Sequence, residues 1–284
     1  MPDSSCKVRC EPWIFDRIHV LPLTRGGTRV EWSIHPRFRD PAPYLFQLQV
    51  GRTSNPLADD WEDVGEAVED TYFAEDPLQR LYGLGSWTHY RIQLTTSVAT
   101  YLSDPASVLG DFDKPDWLRI QAVSRQLSQR LRKKAGTEGY LLKRRIYGEP
   151  CTCLDQQTGE VRLPNHDRCY GTGIVDGYFD PYPCYFVEFL SQKKTRSHVS
   201  DLQTQNDGPV VSARMLNVPM LHSYDVFVDK GSDQRWIVHK IEAELEVRGV
   251  PVILAPVELR LAPFSHIIYT LPIADQQSTD GCPS

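Results

Sequence analysis

Alternating apolar and polar side chains fill the first third of the chain after a short tail. Between residues 12 and 108 the alternation falls into seven short runs, separated by turn residues such as Asp40-Pro41 and Ser54-Asn55-Pro56. A period of two is typical of strands that turn one face to a core. The runs cover residues 14–21, 28–34, 44–50, 61–68, 71–73, 89–95 and 99–102. Seven short strands in about a hundred residues predict an antiparallel β-sandwich.

The period changes to that of a helix after residue 112. Asp113 is placed to cap an N-terminus, and Pro115 suits a first helical turn. Apolar side chains then recur at helical spacing, at Trp117, Ile120, Val123, Leu127 and Leu131. Ala135-Gly136 is predicted to end the helix, and residues 140–147 are predicted to form a strand. Residues 109–148 therefore form a linking segment of one helix and one strand.

Strand patterns return in the last third. Residues 183–274 are predicted to form a small antiparallel β-barrel or sandwich, with Arg248-Gly249 as a tight turn. Its predicted strands are 185–190, 209–214, 225–228, 235–247, 250–261 and 266–271. The connection 191–208 is polar and long, so we expect it to be mobile or ordered against a partner. The predicted fold class is mainly β, with tails at 1–11 and 275–284.

Three cysteines and one histidine form two close pairs between the helix and the last β-rich part. Cys151 and Cys153 make the first pair, and His166 and Cys169 follow a dozen residues later. Tetrahedral zinc sites take thiolate and imidazole ligands from two such tight turns. Gly171-Thr172-Gly173 comes directly after the second pair, and glycine enters a turn of this kind with least strain.

The spacing leaves part of the ligand set open. The first pair is C-x-C rather than C-x-x-C, so Cys184 is a reserve ligand in case one of the two sulfur atoms does not bind. A Cys151–Cys153 disulfide, a Cys169–Cys184 disulfide and a set of free thiols are the alternatives. Four protein ligands leave no position for a substrate, so the predicted cofactor is a structural Zn²⁺ held within residues 149–182.

Composition narrows the class of protein. The 284 residues carry a net charge of −6. No apolar run approaches the roughly 18 residues of a membrane span, and residues 1–13 lack the apolar centre of a signal peptide. We therefore expect folding in a reducing cytoplasm, where thiols bind metal more often than they pair. The cysteines of the tails are expected to be free thiols or cross-links formed later between subunits; they are Cys6, Cys10 and Cys282.

Positive charge is concentrated in the linking segment. Residues 114–148 contain ten Lys or Arg and two acidic residues, so this segment has a net charge of +8 and the remainder of the chain has −14. Such a surface is either solvated or paired with acidic surfaces of neighbouring subunits. The alternative is that it faces nucleic acid, since positive charge alone is enough to attract phosphates. The candidates for a DNA-facing or inter-subunit surface are Arg125, Arg130, Arg132, Lys133, Lys134, Lys143, Arg144 and Arg145.

One segment of the first β-rich part resembles a known signature. Leu84-Gly85-Ser86-Trp87-Thr88 leads into His89-Tyr90-Arg91-Ile92. This is similar to the Leu and Thr followed by Tyr-Arg-hydrophobic of fibronectin type III domains. The resemblance implies that Tyr90 is a tyrosine-corner residue, its hydroxyl bonded to backbone just upstream, and that Leu84 and Ile92 face the core. Trp32 is expected to fill the space between the sheets of this spacer or adhesive domain.

A second resemblance covers residues 140–271. Asp225-Val226-Phe227-Val228-Asp229, followed by Gln234-Arg235-Trp236-Ile237-Val238, resembles a β-hairpin of small tailed-phage neck and head-completion proteins. The order of basic strand, metal knuckle and β-strands is also similar to tailed-phage virion proteins. The resemblance implies a structural virion protein that is made in the host cytoplasm and forms a homo-oligomeric ring at the head–tail neck. Its implied partners are its own copies, other neck, portal or tail proteins, and genomic DNA passing through a channel, with no membrane.

Other functions are alternatives to this one. A nucleophile elbow, a Walker A loop and a dinucleotide fingerprint are absent from the sequence, so we expect no enzymatic activity. A baseplate or fibre-attachment protein of the same particle is the first alternative. A zinc-ribbon nucleic-acid-binding protein is the alternative from another class, and a carbohydrate-binding module of a secreted enzyme is a further one.

Overall fold

The fold is mainly β and contains one α-helix among the residues that the structure describes. The computed structural model describes residues 8–10, 12–23, 26–78, 89–108, 113–155, 157–191, 210–216, 219–241, 246–247, 250–251 and 254–273. These residues form two compact units. The first unit takes its residues from Met1–Arg125, Ile146–Glu149 and Glu246–Val252, and the second from Gln126–Arg145, Pro150–Leu245 and Ile253–Ser284.

The first unit contains two larger sheets and a short hairpin at residues 246–251. Its strands are β1 (Val8–Cys10), β2 (Phe15–Pro22), β3 (Thr28–Ile34), β4 (Leu45–Gly51), β5 (Glu62–Glu69), β6 (Phe73–Asp76), β7 (His89–Thr95), β8 (Thr100–Leu102) and β9 (Ala106–Ser107). One sheet has the order β2-β3-β6, and the other has the order β1-β8-β7-β4-β5, with β9 also pairing with β7. The pairings are antiparallel except that of β1 with β8. The predicted strands 28–34 and 89–95 coincide with β3 and β7 at both ends.

Aromatic side chains join the two sheets of this unit. Trp32 of β3 is buried, and its ring centroid lies 5.2 Å from that of Phe46 in β4. Ile92 is also buried, as the sequence predicts. The Tyr90 hydroxyl donates a hydrogen bond to Asp76 Oδ2 at 2.8 Å. Leu84 and the segment just upstream of Tyr90 lie outside the described residues.

The helix α1 spans Lys114–Arg130 and continues into one π-helical turn at Leu131–Ala135. Trp117, Ile120 and Leu131 are buried, so the predicted apolar stripe is the inner face of the helix. Asp113 accepts a hydrogen bond from Trp117 N through its carbonyl at 2.8 Å, and Gly136 N donates to Leu131 O at 2.7 Å. The predicted start and end of the helical segment are therefore correct.

The second unit contains a closed barrel of six antiparallel strands. They are β10 (Thr137–Leu142), β11 (Tyr182–Ser191), β12 (Val210–Leu216), β13 (Val226–Asp229), β14 (Arg235–Ile241) and β17 (Leu254–Leu261), in the order β10-β11-β12-β17-β14-β13. A separate hairpin, whose residues belong to the first unit, pairs β15 (Glu246–Val247) with β16 (Val250–Pro251). Most of the predicted loop 191–208 and the turn 248–249 lie outside the described residues.

Two sequence predictions in this unit are wrong. The strand predicted at 140–147 ends at Leu142, because the chain leaves the barrel there for the metal-binding loop. The strand predicted at 266–271 is a 3₁₀-helix, Ile267–Thr270. His266 starts this helix, since its imidazole nitrogen accepts a hydrogen bond from Ile268 N at 3.2 Å. A side chain that caps a helix in this way competes with the extended conformation.

Strand alternation gives the barrel two apolar faces. Leu141 and Phe227 belong to a cluster that includes Val211, Met215 and Leu259 from the other strands. Their neighbours along the chain belong to a different cluster, which contains Leu142, Val226, Val228, Tyr178 and Ile268. Side chains of successive residues point to opposite faces of a strand. Both faces of β10 and β13 are therefore buried, which fixes their register.

Candidate metal centre

Residues 143–181 leave the barrel between β10 and β11 and form a loop held by short bridges. The bridges pair Arg144 with Tyr178, Pro150 with Ile174, and Leu154 with Val161. Cys151 N also donates to Gly173 O at 2.9 Å. These contacts bring two turns together, one after Cys151 and one after His166.

The first turn carries Cys151 and Cys153. Leu154 N donates to Cys151 O at 2.9 Å, and Arg162 N donates to Cys153 O at 2.9 Å. The Arg162 guanidinium also bonds Asp155 Oδ2 at 2.8 Å, and this ion pair lowers the pKa of Asp155. The turn therefore has its own hydrogen bonds, which place two sulfur atoms on one side of a short C-x-C segment.

The second turn carries His166 and Cys169. Tyr170 N donates to His166 O at 2.8 Å, and Thr172 N donates to Cys169 O at 2.9 Å. Gly171 has φ +79°, and a Cβ there would lie 2.5 Å from the backbone oxygen of Pro164. Only glycine fits both this space and this backbone conformation without strain. The role that the sequence predicts for this glycine is confirmed.

The four side chains converge on one point. One ligand atom from each of Cys151, Cys153, His166 and Cys169 lies within 4.8 Å of all the others. The closest approaches are 3.1 Å between Cys151 Sγ and His166 Nδ1 and 3.3 Å between Cys153 Sγ and Cys169 Sγ. Zn–S bonds of about 2.3 Å and a Zn–N bond of about 2.0 Å place tetrahedral ligand atoms about 3.5–3.8 Å apart. The cluster could therefore bind a metal ion with little movement.

The thiols of the cluster differ in proton affinity. For Cys151, burial raises the pKa, but hydrogen bonds from the backbone and thiol of Cys153, the Cys169 thiol and the charge of His166 lower it to about 7. For Cys153, burial and the two neighbouring thiols raise the pKa to about 12. Metal binding has to remove the protons from these sulfur atoms. The raised pKa of Cys153 shows that its buried sulfur atom disfavours a negative charge when no cation is present.

The cluster is enclosed by the protein. All three cysteines are buried, and Val161 and Val175 pack against them. His166 directs Nδ1 at the sulfur atoms, and its Nε2 lies 3.9 Å from the exposed Asp167 carboxylate. Four protein ligands fill a tetrahedral coordination sphere, which is the arrangement of structural rather than catalytic sites.

The reserve ligand lies elsewhere. Cys184 is on β11 and belongs to the barrel core with Leu141, Phe227 and Trp236. It is outside the cluster of four, and Cys151, Cys153, Cys169 and Cys184 are all free thiols. The disulfide alternatives for these four residues are therefore absent. Cys6 and Cys282 lie outside the described residues, as does the side chain of Cys10.

The basic candidates fall into two groups. Arg125, Arg130, Arg132, Lys133 and Lys134 have exposed side chains on α1 and its π-turn. The other three are held by internal contacts, since the chain turns back at the end of β10. Arg144 lies over the Tyr224 ring and bonds Thr172 O, and Arg145 lies over the Phe179 ring and bonds Tyr178 O.

Lys143 departs furthest from the sequence prediction, because it is buried rather than part of a basic surface. Its ammonium group contacts Asp225 Oδ2 at 3.0 Å, His222 Nδ1 at 2.5 Å and the carbonyl of Met220. No sequence pattern predicted this cluster. Asp225 was singled out in the sequence only as the first residue of the segment Asp225–Asp229, and nothing there linked it to Lys143.

Comparison with known proteins adds no family to this description. No family model matches the chain, and no match was found among curated proteins or among solved structures. Within the described part of the chain, no helix has both the length and the apolar character that a membrane crossing requires.

Proposed function

We propose that Cys151, Cys153, His166 and Cys169 hold one structural Zn²⁺. The closed four-ligand cluster is the observation that carries this proposal. Three thiolates and one imidazole suit zinc, which accepts tetrahedral N and S ligands without a redox change. The ion ties the two turns of a long loop together and so adds stability where the apolar cluster, three cysteines with Val161 and Val175, is small.

We further propose that the protein is a structural component of a tailed-phage virion, forming a homo-oligomeric ring at the head–tail neck. The resemblance of residues 140–271 to neck and head-completion proteins supports this placement. The segment that carries it forms the β13–β14 hairpin, where Val226 pairs with Ile237 and Phe227 with Trp236. A β-barrel whose metal site has no open ligand position suits a structural role rather than a catalytic one. Rings form through repeated contacts between identical copies of such a protein.

The first unit is proposed to be a fibronectin type III-like spacer domain. Two sheets that meet through Trp32 and Phe46, and a buried Tyr90 on β7, support this assignment. In the proposed particle such a unit would present a collar or contact fibres, while the second unit would contact portal or tail proteins.

The exposed basic residues suggest where DNA would pass. Arg130, Arg132, Lys133 and Lys134 are exposed at the end of α1 and in its π-turn. Side chains of this kind attract phosphates without reading sequence. The same residues favour the second candidate function, a zinc-containing nucleic-acid-binding protein that acts outside a particle.

Metal analysis, electron microscopy and a DNA-binding measurement test the proposal. Metal analysis of the purified chain should give about one zinc per chain. Electron microscopy of the phage particle should place the protein in a ring at the neck. A location at the distal baseplate would favour the baseplate alternative. A chain that stays monomeric and binds duplex DNA with a steep salt dependence would favour the nucleic-acid-binding alternative.

A further inference from the structure

A buried cluster at the end of β10 brings an amine, a carboxylate and an imidazole into contact. Lys143 Nζ lies 3.0 Å from Asp225 Oδ2 and 2.5 Å from His222 Nδ1. The Lys143 and Asp225 side chains are 6% and 0% exposed. Replacing a buried ion pair with apolar residues is often neutral or stabilising, so stability alone is a weak reason for this pair.

The barrel holds the two groups opposite each other. Leu142 of β10 pairs with Val226 of β13, so Lys143 and Asp225 occupy the next opposed positions beyond the ladder. Opposed residues of an antiparallel pair have Cβ atoms about 4.5–5.5 Å apart. Groups fixed in this way react with effective concentrations far above those in solution. The ladder therefore supplies the proximity that a reaction between the two side chains needs.

The Asp225 carboxylate is bonded differently at its two oxygen atoms. Arg144 N donates to Oδ1 at 2.9 Å, while His222 N donates to Oδ2 at 2.7 Å. A fixed backbone N–H can stabilise the negative charge that develops on an oxygen atom when a nucleophile attacks its carbon. Arg144 N is placed to do this at Oδ1, and Oδ2 is then the oxygen that leaves.

His222 is placed to move a proton. Its Nδ1 contacts Lys143 Nζ, and a neutral imidazole accepts a proton at that atom. The lysine becomes nucleophilic only after it loses a proton. The imidazole is exposed while the amine and the carboxylate are buried, so it connects the cluster to solvent.

We propose that Lys143 and Asp225 join in an intramolecular isopeptide bond, with His222 as the proton relay. The bond between Nζ and Cγ forms, and the bond between Cγ and Oδ2 breaks. Two of the three ammonium protons move to Oδ2, one of them through His222 Nδ1, and the third stays on the amide nitrogen. One water molecule leaves, the two opposite charges cancel, and no further reactant is required. The bond joins β10 to β13 covalently, which would hold the barrel closed under mechanical load.

The mass of the denatured, reduced and metal-free full chain tests this proposal. We expect it to be lower than the sequence mass by one water molecule, and protease digestion should yield a branched peptide that joins Lys143 to Asp225. Lys143→Arg and Asp225→Ala should both restore the full sequence mass. His222→Gln should leave much of the purified protein uncross-linked, with the cross-linked fraction rising slowly on incubation.

The mass and peptide map of the wild-type chain test the proposed bond without any variant. A wild-type chain with the full sequence mass, or one whose lost water maps to another residue, overturns the proposal and leaves a buried ion pair. Because the measurement is made on metal-free protein, it is independent of the zinc assignment. Protein that contains no zinc as purified, but yields the branched peptide, would contradict the proposed metal and support the proposed bond.

Discussion

Replacing Gly171 with alanine should weaken metal binding far more than the same change at Gly159. Both glycines lie in the metal-binding loop with positive φ, at +79° and +73°. A Cβ at position 171 would lie 2.5 Å from Pro164 O, whereas one at position 159 would meet nothing within 4 Å. The two variants therefore share the backbone strain and differ in the steric contact.

The expected difference follows from that contact. The left-handed conformation costs an L-residue about 1–2 kcal/mol at either position. At position 171 the backbone must also move away from Pro164, and such overpacking costs about 1–3 kcal/mol. Gly171 follows His166 and Cys169 in one turn, so this energy should appear in metal affinity. We expect Gly171→Ala to weaken apparent metal affinity about 5- to 150-fold more than Gly159→Ala does.

Competition with a chromogenic chelator measures this difference. Both variants and the wild type should be titrated at the same pH, and the release of metal recorded as the chelator concentration rises. Circular dichroism of the metal-loaded proteins checks that the barrel is retained. Equal losses of affinity in the two variants would refute the reasoning, because they would show that the second turn does not need to approach Pro164 closely.

Three further predictions concern the ligands, the protons and the first unit. Cys169→Ser should abolish stoichiometric metal binding, whereas Cys184→Ser should retain the metal and lower only the melting temperature of the barrel; metal loss in both would contradict the ligand set. Apparent metal affinity should fall more steeply with decreasing pH below about pH 7, where the Cys151 thiol, whose pKa is about 7 without metal, also becomes protonated; a single slope from pH 8 to pH 5 in chelator titrations would argue against this. Arg29→Met should lower the free energy of unfolding by about 3–5 kcal/mol, because it removes the buried guanidinium group that bonds the buried Glu31 carboxylate at 2.6 Å. Glu75→Gln, at the exposed end of the same network, should change it by about 1 kcal/mol or less in urea titrations.

Strands that bury one face could be predicted from the alternation of apolar and polar residues. In β12, Val211, Ala213 and Met215 are buried and alternate with partly exposed residues. This is the period of two that a sequence displays directly. The segment 266–271 could not be predicted in this way. Its apolar residues could equally line a strand or a short helix, and the outcome depends on the cap that His266 provides.

The metal cluster could be predicted for a related reason, since its ligands come from two local turns. Cys151 and Cys153 are fixed by hydrogen bonds within residues 151–162, so the spacing in the sequence carries the geometry. Lys143 and Asp225 lack such a signal. They are far apart in sequence and meet only because Leu142 pairs with Val226. A run of three basic residues therefore suggested a charged surface where the barrel has a buried ion pair.

The long loop between β10 and β11 explains why a metal ion is useful in this part of the chain. Antiparallel neighbours are commonly joined by connections of about 2–5 residues, whereas residues 143–181 connect this pair. The cluster of Leu141, Met215 and Leu259 inside the barrel contains no residue of the two metal-binding turns. The turns instead pack their three cysteines against Val161 and Val175. Tyr170 of the second turn also packs against the barrel cluster that contains Leu142 and Val226. Because the apolar cluster at the cysteines themselves is small, removal of the metal should loosen the turns and leave the barrel strands paired. Hydrogen exchange should therefore show lost protection at Leu154 N and Thr172 N, and retained protection along β12 and β17.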